Sequence, residues 1–484
     1  MLDKNTIHYV SGLMGSRKTS KLIQFLKDNP YKKAICLFPT REVAQQSFNN
    51  YGLDDAKLII GDNAVKQLIE TLTTDTDKRV IFASHAAGEI LANRLYAQES
   101  TLLNRHIVFI DEVPAPFERH TCKITDNGYY APWLEHTEEN NGKLICVDFD
   151  GMRKAVNARL SETITVNHVQ IGLLAGDDVF KDADFNIKVF NRSPMYHFSG
   201  LASDTVVMGS HVESSPFIKI GQEKYGYEFI ESELFSVDYL NYPNPERVTI
   251  YHAGLPSPSK RWLNPNIEMV GRVLAEKFRL VQVGVFPFAC NHTKDSTHDY
   301  VKVFGDKFGK VGGVQMPYIA HGNNQYRKCK GAVAVGCVRF ATDFKIELEQ
   351  ILTREQIEHY EDWCHFETVA QQLLRCRLRD FTDGFSAISL GVQDVRTAEF
   401  INNVYLRGRA TVVNIGEELV KPTEKEYVPV TVENRKANKT LSMLQGHVEQ
   451  MVLSGIKVTQ KAVAVASGKG IATVKRHWSD LQLA

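Results

Sequence analysis

One short stretch near the start of the chain limits its fold more than any other. An apolar run, Thr6-Ile7-His8-Tyr9-Val10, leads into Gly12-Leu13-Met14-Gly15-Ser16-Arg17-Lys18-Thr19, and a helix-patterned segment begins at Ser20. A strand that enters a glycine-containing turn and leaves as a helix aims unpaired N–H groups and the positive end of a helix dipole at one point. Gly12, Met14, Gly15, Ser16, Arg17, Lys18 and Thr19 are therefore candidates to cradle phosphate. In such a loop Lys18 reaches the β and γ phosphates of a nucleotide, and the Thr19 hydroxyl ligates Mg²⁺. The residue before the lysine is ordinarily glycine and here is Arg17, so a plain basic turn before a helix is the alternative.

The first 112 residues alternate strand-like apolar runs with helical patterns, which predicts βαβ units around a parallel sheet. Ala34-Ile35-Cys36-Leu37-Phe38 reads as a buried strand, stopped by Pro39, with Thr40 as N-cap of a helix running toward Gly52. Thr40 and Arg41, at the C-terminal edge of such a sheet, are placed to hold a phosphodiester backbone. Arg79–Ala83 is a further strand, ending in Ser84-His85, and His106–Ile110 delivers Asp111-Glu112 to its tip. Paired carboxylates at that point suit a Mg-nucleotide hydrolase, Asp111 holding the metal through water and Glu112 orienting and deprotonating the attacking water.

These residues resemble superfamily-two helicases. Met14–Thr19, Pro39-Thr40-Arg41-Glu42-Val43-Ala44-Gln45-Gln46 and Asp111-Glu112-Val113-Pro114 are similar to that family's motifs I, Ia and II, and Ser84-His85 falls where it often carries Thr-His. The resemblance is nearest to viral and phage replication helicases related to the herpesvirus origin-binding protein. It implies two RecA-like α/β parallel-sheet domains in tandem, with ATP and Mg²⁺ bound between them and single-stranded DNA held by Thr40, Arg41 and His85.

Roughly ninety residues separate Glu112 from the next convincing strand, Thr205–Gly209, more than a crossover needs, and predict an insertion around 115–200. Asp126–Tyr130 has hairpin-turn chemistry and Gly151–Ser161 a helical pattern. Ser210 stands where the family places motif III, though a strand-end turn reads equally well. A second α/β unit is expected over 241–415, with strands at Arg247–His252, Leu280–Val285 and Gly331–Val338 and a helix at Asn266–Phe278. His321–Tyr326 resembles motif V, which would place Asn324 on nucleic acid; an Asn-Gly-rich turn feeding a buried strand is the alternative.

Glu367–Arg379 carries three arginines at alternate positions, which cannot share one helix face. Arg375 and Arg379 lie one turn apart on the face of Gln371. The resemblance to motif VI of the origin-binding group selects Gln371, Arg375 and Arg377, with an arginine reaching across the lobe interface to the transferring phosphoryl group.

Residues 416–436, with Pro422 and Pro429, read as a linker. From 437 to 484 an all-α helix-turn-helix is expected: a helix from Leu441, a second capped by Thr459, a turn at Ser467–Gly470 and a third from Ile471, with Val463, Ala464 and Val474 at the buried crossing. Lys469, Thr473, Lys475 and Arg476 would then meet duplex DNA; a three-helix cap or protein-interaction module is the alternative.

Composition narrows the partners. At 484 residues the chain can hold roughly two to four domains. Lys+Arg and Asp+Glu are equal at 57 each, so any nucleic acid must be held by local basic surfaces. The eight cysteines are scattered without Cys-x-x-Cys, which suits reduced thiols in a cytoplasmic protein, and Cys290-Asn291-His292 and Cys364-His365 are too isolated to suggest zinc. No run of about 18 apolar residues exists, so no membrane partner is expected. The function expected is an ATP-dependent DNA helicase or translocase in phage or mobile-element replication, working with other replication proteins. The alternative is a nucleotide-switched DNA-binding initiator or regulator without unwinding activity, and a packaging motor is a third class that lacks its nuclease carboxylates here.

Overall fold

The computed structural model describes residues 5–75, 77–123, 132–158, 164–181, 186–291, 299–317, 325–421, 441, 443–448, 451 and 458–478. The chain divides into two compact units, Met1–Lys421 and Pro422–Ala484. The strands in chain order are β1 Thr6–Ser11, β2 Lys33–Phe38, β3 Ala56–Ile59, β4 Val80–Ser84, β5 His106–Asp111, β6 Phe117–Lys123, β7 Thr137–Asn140, β8 Lys143–Cys146, β9 Asp178–Lys181, β10 Asn186–Arg192, β11 Asp204–Gly209 and β12 Glu228–Glu231. They continue with β13 Val248–Leu255, β14 Phe286–Cys290, β15 Gly313–Met316, β16 Gly331–Val335, β17 Ile388–Asp394 and β18 Thr411–Asn414.

Seven strands make a parallel sheet in the order β12-β1-β11-β5-β2-β4-β3. A parallel sheet needs cover on both faces, and its strands therefore read as unbroken apolar runs. Alternate residues sort to opposite sides as the pleat requires. Ile35, Leu37, Ile81, Val108 and Ile110 pack with Leu91, Leu95, Phe198 and Phe217, whereas Cys36, Phe38, Phe82, Phe109 and Met208 pack with Leu22, Leu26 and Tyr51. The C-terminal tips of β1, β5 and β11 thereby open on one edge, where the chain leaves as the Gly12–Thr19 loop, Glu112 and Ser210.

Arg79 closes the far end of the helix Lys18–Asp28. Its guanidinium donates to the carbonyls of Leu26, Asn29 and Lys32, to Tyr51 Oη and to Asp55 Oδ2 at 2.8 Å. One buried arginine thus satisfies carbonyls that the helix end cannot satisfy itself.

Between β5 and β11 a five-stranded antiparallel sheet, β6-β10-β9-β8-β7, carries the helices Phe149–Ala158 and Ile164–Ala175. Met152, Val156, Val169, Leu173, Val179 and Ile187 form its core. Phe117 and Phe190 reach instead toward Leu348, Leu352 and Ile357 of the second α/β lobe. The hairpin expected at Asp126–Tyr130 lies outside the described residues.

The second lobe is a six-stranded parallel sheet, β15-β14-β16-β17-β13-β18. The helix Lys260–Leu280 covers one face and Arg354–Leu373 the other. The strand expected at Leu280–Val285 does not form. The helix runs through Leu280, Gln282 and Gly284 take left-handed φ of 51° and 78°, and Leu280 and Val285 are exposed, so the apolar run is a turn and the strand starts at Phe286. The first residues of the expected linker pack on this lobe: the Asn266 amide donates to Val420 O and accepts from Val420 N, each at 2.9 Å. Residues 422–436 lie outside the described residues.

In the C-terminal unit, Leu444, Val448, Met451, Val463 and Val474 form one small core. Thr459 Oγ1 caps the helix Gln460–Ser467 by accepting from Ala462 N, Gly468 ends it at φ 67°, and the helix Ile471–His477 follows. Val463 and Val474 are both fully buried. No described helix is long and apolar enough to cross a membrane.

Candidate active site

The Gly12–Thr19 loop leaves the tip of β1, and the helix Lys18–Asp28 begins within it. Arg17, at the position where glycine is usual, sits at φ 62° and ψ 27°. Left-handed backbone costs an L-residue about 1–2 kcal/mol, so this loop keeps its shape without the glycine that would relieve it. Glu112 has φ 71°, a second strained residue in the same cleft, and strain of this kind collects at functional sites. Gly15, at φ 81°, leaves room for Arg379: a Cβ there would meet Arg379 Cγ at 3.2 Å.

The loop's polar atoms fit a phosphate chain. Lys18 Nζ donates to Gly12 O at 2.8 Å and Leu13 O at 2.9 Å, the loop's own carbonyls. The Ser16 hydroxyl is buried and has no hydrogen-bond partner among the described residues. Met14 O accepts from Tyr242 Oη at 2.9 Å, which fixes the loop from the segment joining the lobes. Thr19 Oγ1 donates to Asp111 Oδ2 at 3.0 Å, so hydroxyl and carboxylate already share the place where a hard cation would sit. Burial, and then the neighbouring Glu112, raise the Asp111 carboxyl to about 6; burial lowers Lys18 to about 8 against the pull of Asp111. A Mg²⁺ held by Thr19 and Asp111 would supply positive charge that favours the ionised carboxylate and neutralises phosphate oxygens.

The facing wall comes from the second lobe. One cleft of about 550 Å³ is lined by the loop, by Asp111, Glu112 and Ser210, and by Glu367, Gln371, Arg375 and Arg379. Burial, and then Arg379, lower the Arg375 guanidinium to about 10, and burial lowers Arg379 as well. Both guanidinium groups line the cleft, where a polyanion would offset the cost of their burial.

Arg377 lies outside this cleft, which corrects the catalytic place that the motif VI resemblance gives it. The helix stops at Leu373 rather than continuing to Arg379. Arg377 N donates to Cys329 O at 2.8 Å, and a short turn, Arg377–Arg379, follows. That turn directs Arg377 to Asp383 and into a separate hollow with Arg327, Lys328 and Asp380, while Arg379 enters the cleft.

Tyr405 gives no signal in the sequence, and Glu367, though it opens the Glu367–Arg379 stretch, takes no role from the motif there. Tyr405 Oη donates to Glu367 Oε2 at 2.6 Å and lies 3.2 Å from Ser210 Oγ, so a hydroxyl of the first lobe is tied to a carboxyl of the second inside the cleft.

The other expected contact residues lie outside this cleft. Thr40 Oγ1 caps the helix Arg41–Tyr51 through Val43 N, and Arg41 is exposed, 3.7 Å from Asp62. β2 and β4 pair with Phe38 opposite Ser84, which sets Thr40 and Arg41 beside His85 on the same sheet edge. Asn324 lies outside the described residues. In the C-terminal unit Lys469 and Lys475 are exposed and Thr473 half-buried; the Arg476 side chain is outside the described set.

No family profile and no curated protein matches the sequence. Among solved structures, the chain is similar to one named "XPD_APO", at 12% identity and TM-score 0.47 over 85% of this chain and 97% of that one. It is also similar to S. tokodaii Xpd4, at 11% identity and TM-score 0.45 over 84% and 96% of the two chains. A third likeness is to S. cerevisiae Dbp5 bound to RNA and ADP BeF3, at 11% identity and TM-score 0.31 over 85% of each chain. Similarity this distant says nothing about substrate.

Proposed function

We propose that this chain is an ATP-dependent helicase or translocase of superfamily two, acting on DNA. The observation that carries the reading is the composite cleft, in which Lys18, Thr19, Asp111 and Glu112 of one lobe face Gln371, Arg375 and Arg379 of the other. In this reading Lys18 and the loop N–H groups hold the triphosphate, Thr19 and Asp111 hold Mg²⁺, and Glu112 takes a proton from the attacking water. Arg375 and Arg379 stabilise the charge that develops on the transferred phosphoryl group. Because the cleft needs both lobes, triphosphate favours the closed pair and hydrolysis releases it, which shifts the grip on a strand.

The strand would run along the sheet edge carrying Thr40, Arg41 and His85, with Asn324 as a further contact. The lobes correspond to residues 1–240 and 241–415, and residues 437–484 act as a helix-turn-helix on duplex DNA through Lys469, Thr473, Lys475 and Arg476. A cytoplasmic role in phage or mobile-element replication, alongside other replication proteins, follows from the motif resemblance. The second reading, a nucleotide-switched initiator or regulator, is favoured by Arg17 holding a left-handed conformation where glycine is usual. Nucleic-acid-stimulated hydrolysis separates the two. A Thr40→Ala/Arg41→Ala/His85→Ala chain should lose stimulation by single-stranded DNA while keeping basal turnover, and stimulation left intact would remove these contacts from the reading.

A further inference from the structure

The antiparallel insertion gathers one carboxylate and two imidazoles that the proposed hydrolysis does not use. Glu118 and His120 are two residues apart on β6 and so share a face of the strand. Arg119, between them, points the other way and meets Glu347 at 2.8 Å. The helix Ile164–Ala175 brings His168 to the same place. Glu118 Oε2 lies 3.1 Å from His120 Nε2 and 3.8 Å from His168 Nδ1, and the two imidazole rings stack with centroids 3.7 Å apart. One donor atom from each residue falls within a 4.8 Å cluster.

The two separations to Glu118 Oε2 fit a metal's coordination sphere, and the stacked rings, 17° apart in plane, would turn from each other to bring both ring nitrogens to one ion. Zinc bonds of about 2.0–2.1 Å in a tetrahedron put neighbouring donors roughly 3.3 Å apart, and 3.1 and 3.8 Å bracket that edge. The 3.1 Å contact alone would be an ordinary hydrogen bond. His168 supplies the independent observation: its Nδ1 is buried and has no hydrogen-bond partner among the described residues, and 3.8 Å to the carboxylate is too long for one. The backbone is tied to the same place, because Asn191 Nδ2 donates to His168 O at 2.8 Å and Asn191 pairs with Glu118 across β6 and β10.

We propose that Glu118, His120 and His168 bind one Zn²⁺, with water in the fourth position. Two imidazoles and a carboxylate suit zinc, whereas the Thr19–Asp111 pair offers only oxygen and suits Mg²⁺, so the two sites select different ions. The ion fastens β6 to the helix Ile164–Ala175. Because the opposite face of β6 carries Phe117 and Arg119 toward the second lobe, the ion also stiffens the strand through which the insertion touches that lobe.

The test uses the full chain, stripped with chelator, exposed to Zn²⁺ in excess Mg²⁺, then desalted and assayed for metal. The wild type and Asp111→Asn should each retain about one zinc, whereas Glu118→Gln and His168→Asn retain essentially none. Zinc should raise the Tm of the wild type and leave that of His168→Asn unmoved. Should His168→Asn or Glu118→Gln fail to fold, Co²⁺ in the Asp111→Asn chain decides: the intense visible bands of a four-coordinate ion support the site, and a weak six-coordinate spectrum overturns it. No zinc retained by the wild type, or equal retention by the folded ligand variants, overturns it as well.

Discussion

Arg379→Ala should slow hydrolysis far more than Arg377→Ala, although Arg377 is the residue the motif VI resemblance selects. Arg379 lies against Gly15 and beside Arg375, and its Nε donates to Leu374 O at 2.9 Å, so the side chain is already held at the phosphate loop. An arginine presented to a transferring phosphoryl group contributes about 10³–10⁵ in rate, or roughly 4–7 kcal/mol of transition-state stabilisation. Arg377 instead pairs with Asp383 outside the cleft and is about one-third exposed, so its loss removes a partly screened ion pair worth on the order of 1 kcal/mol and less than tenfold in rate. The assay is single-turnover hydrolysis at saturating ATP with single-stranded DNA present, which separates the chemical step from binding. Thermal melts of both variants check that the fold survives. If Arg379→Ala turns over within tenfold of wild type, or Arg377→Ala falls as far, the assignment of the finger is wrong.

Burial raises the Glu367 carboxyl to about 7, against the opposing pull of Tyr405, His211 and Lys18. Its ordinary value is about 4.3, so it destabilises the folded chain increasingly as pH climbs from about 4 to about 7 and by a constant amount above that. Glu367→Gln should therefore gain about 2–4 kcal/mol in urea unfolding at pH 8 and nothing at pH 4, and an equal effect at both would contradict the burial argument. Arg79→Met should cost about 3 kcal/mol by leaving several carbonyls and Asp55 without their donor; a loss under about 0.5 kcal/mol would mean the helix end is satisfied otherwise. Deleting residues 437–484 should weaken duplex DNA binding and flatten its salt dependence while basal ATP turnover holds, and unchanged affinity across a salt series would remove the helix-turn-helix from the account.

The parts legible in the sequence are those whose signal is local. β2, β4 and β5 are short, continuous apolar runs because a parallel sheet buries both their faces, and β4 and β5 end at residues with evident chemistry, Ser84 and Asp111. Val463, Gly468 and Val474 likewise follow from spacing within a few turns. What stayed hidden depends on distant chain. The helix that sets Gln371 in the cleft stops at Leu373, and just beyond it Arg377 N finds Cys329 O, a partner 48 residues back in the sequence, which holds Arg377 out of the cleft. Tyr405 meets Glu367 and Ser210, and His168 meets Glu118, across separations that no pattern records. Leu280–Val285 misled because an apolar run is compatible with an exposed turn once Gln282 and Gly284 take left-handed backbone.

The most direct measurement is steady-state ATP hydrolysis by the wild type, Lys18→Ala and Glu112→Gln, with and without single-stranded DNA, single-stranded RNA and duplex DNA. The account predicts turnover stimulated by single-stranded DNA, lost in both variants, with nucleotide binding lost in Lys18→Ala and kept in Glu112→Gln. Turnover that persists in either variant would show that the cleft is not the site of hydrolysis, and nucleotide binding by the wild type without turnover would contradict the motor in favour of the switch.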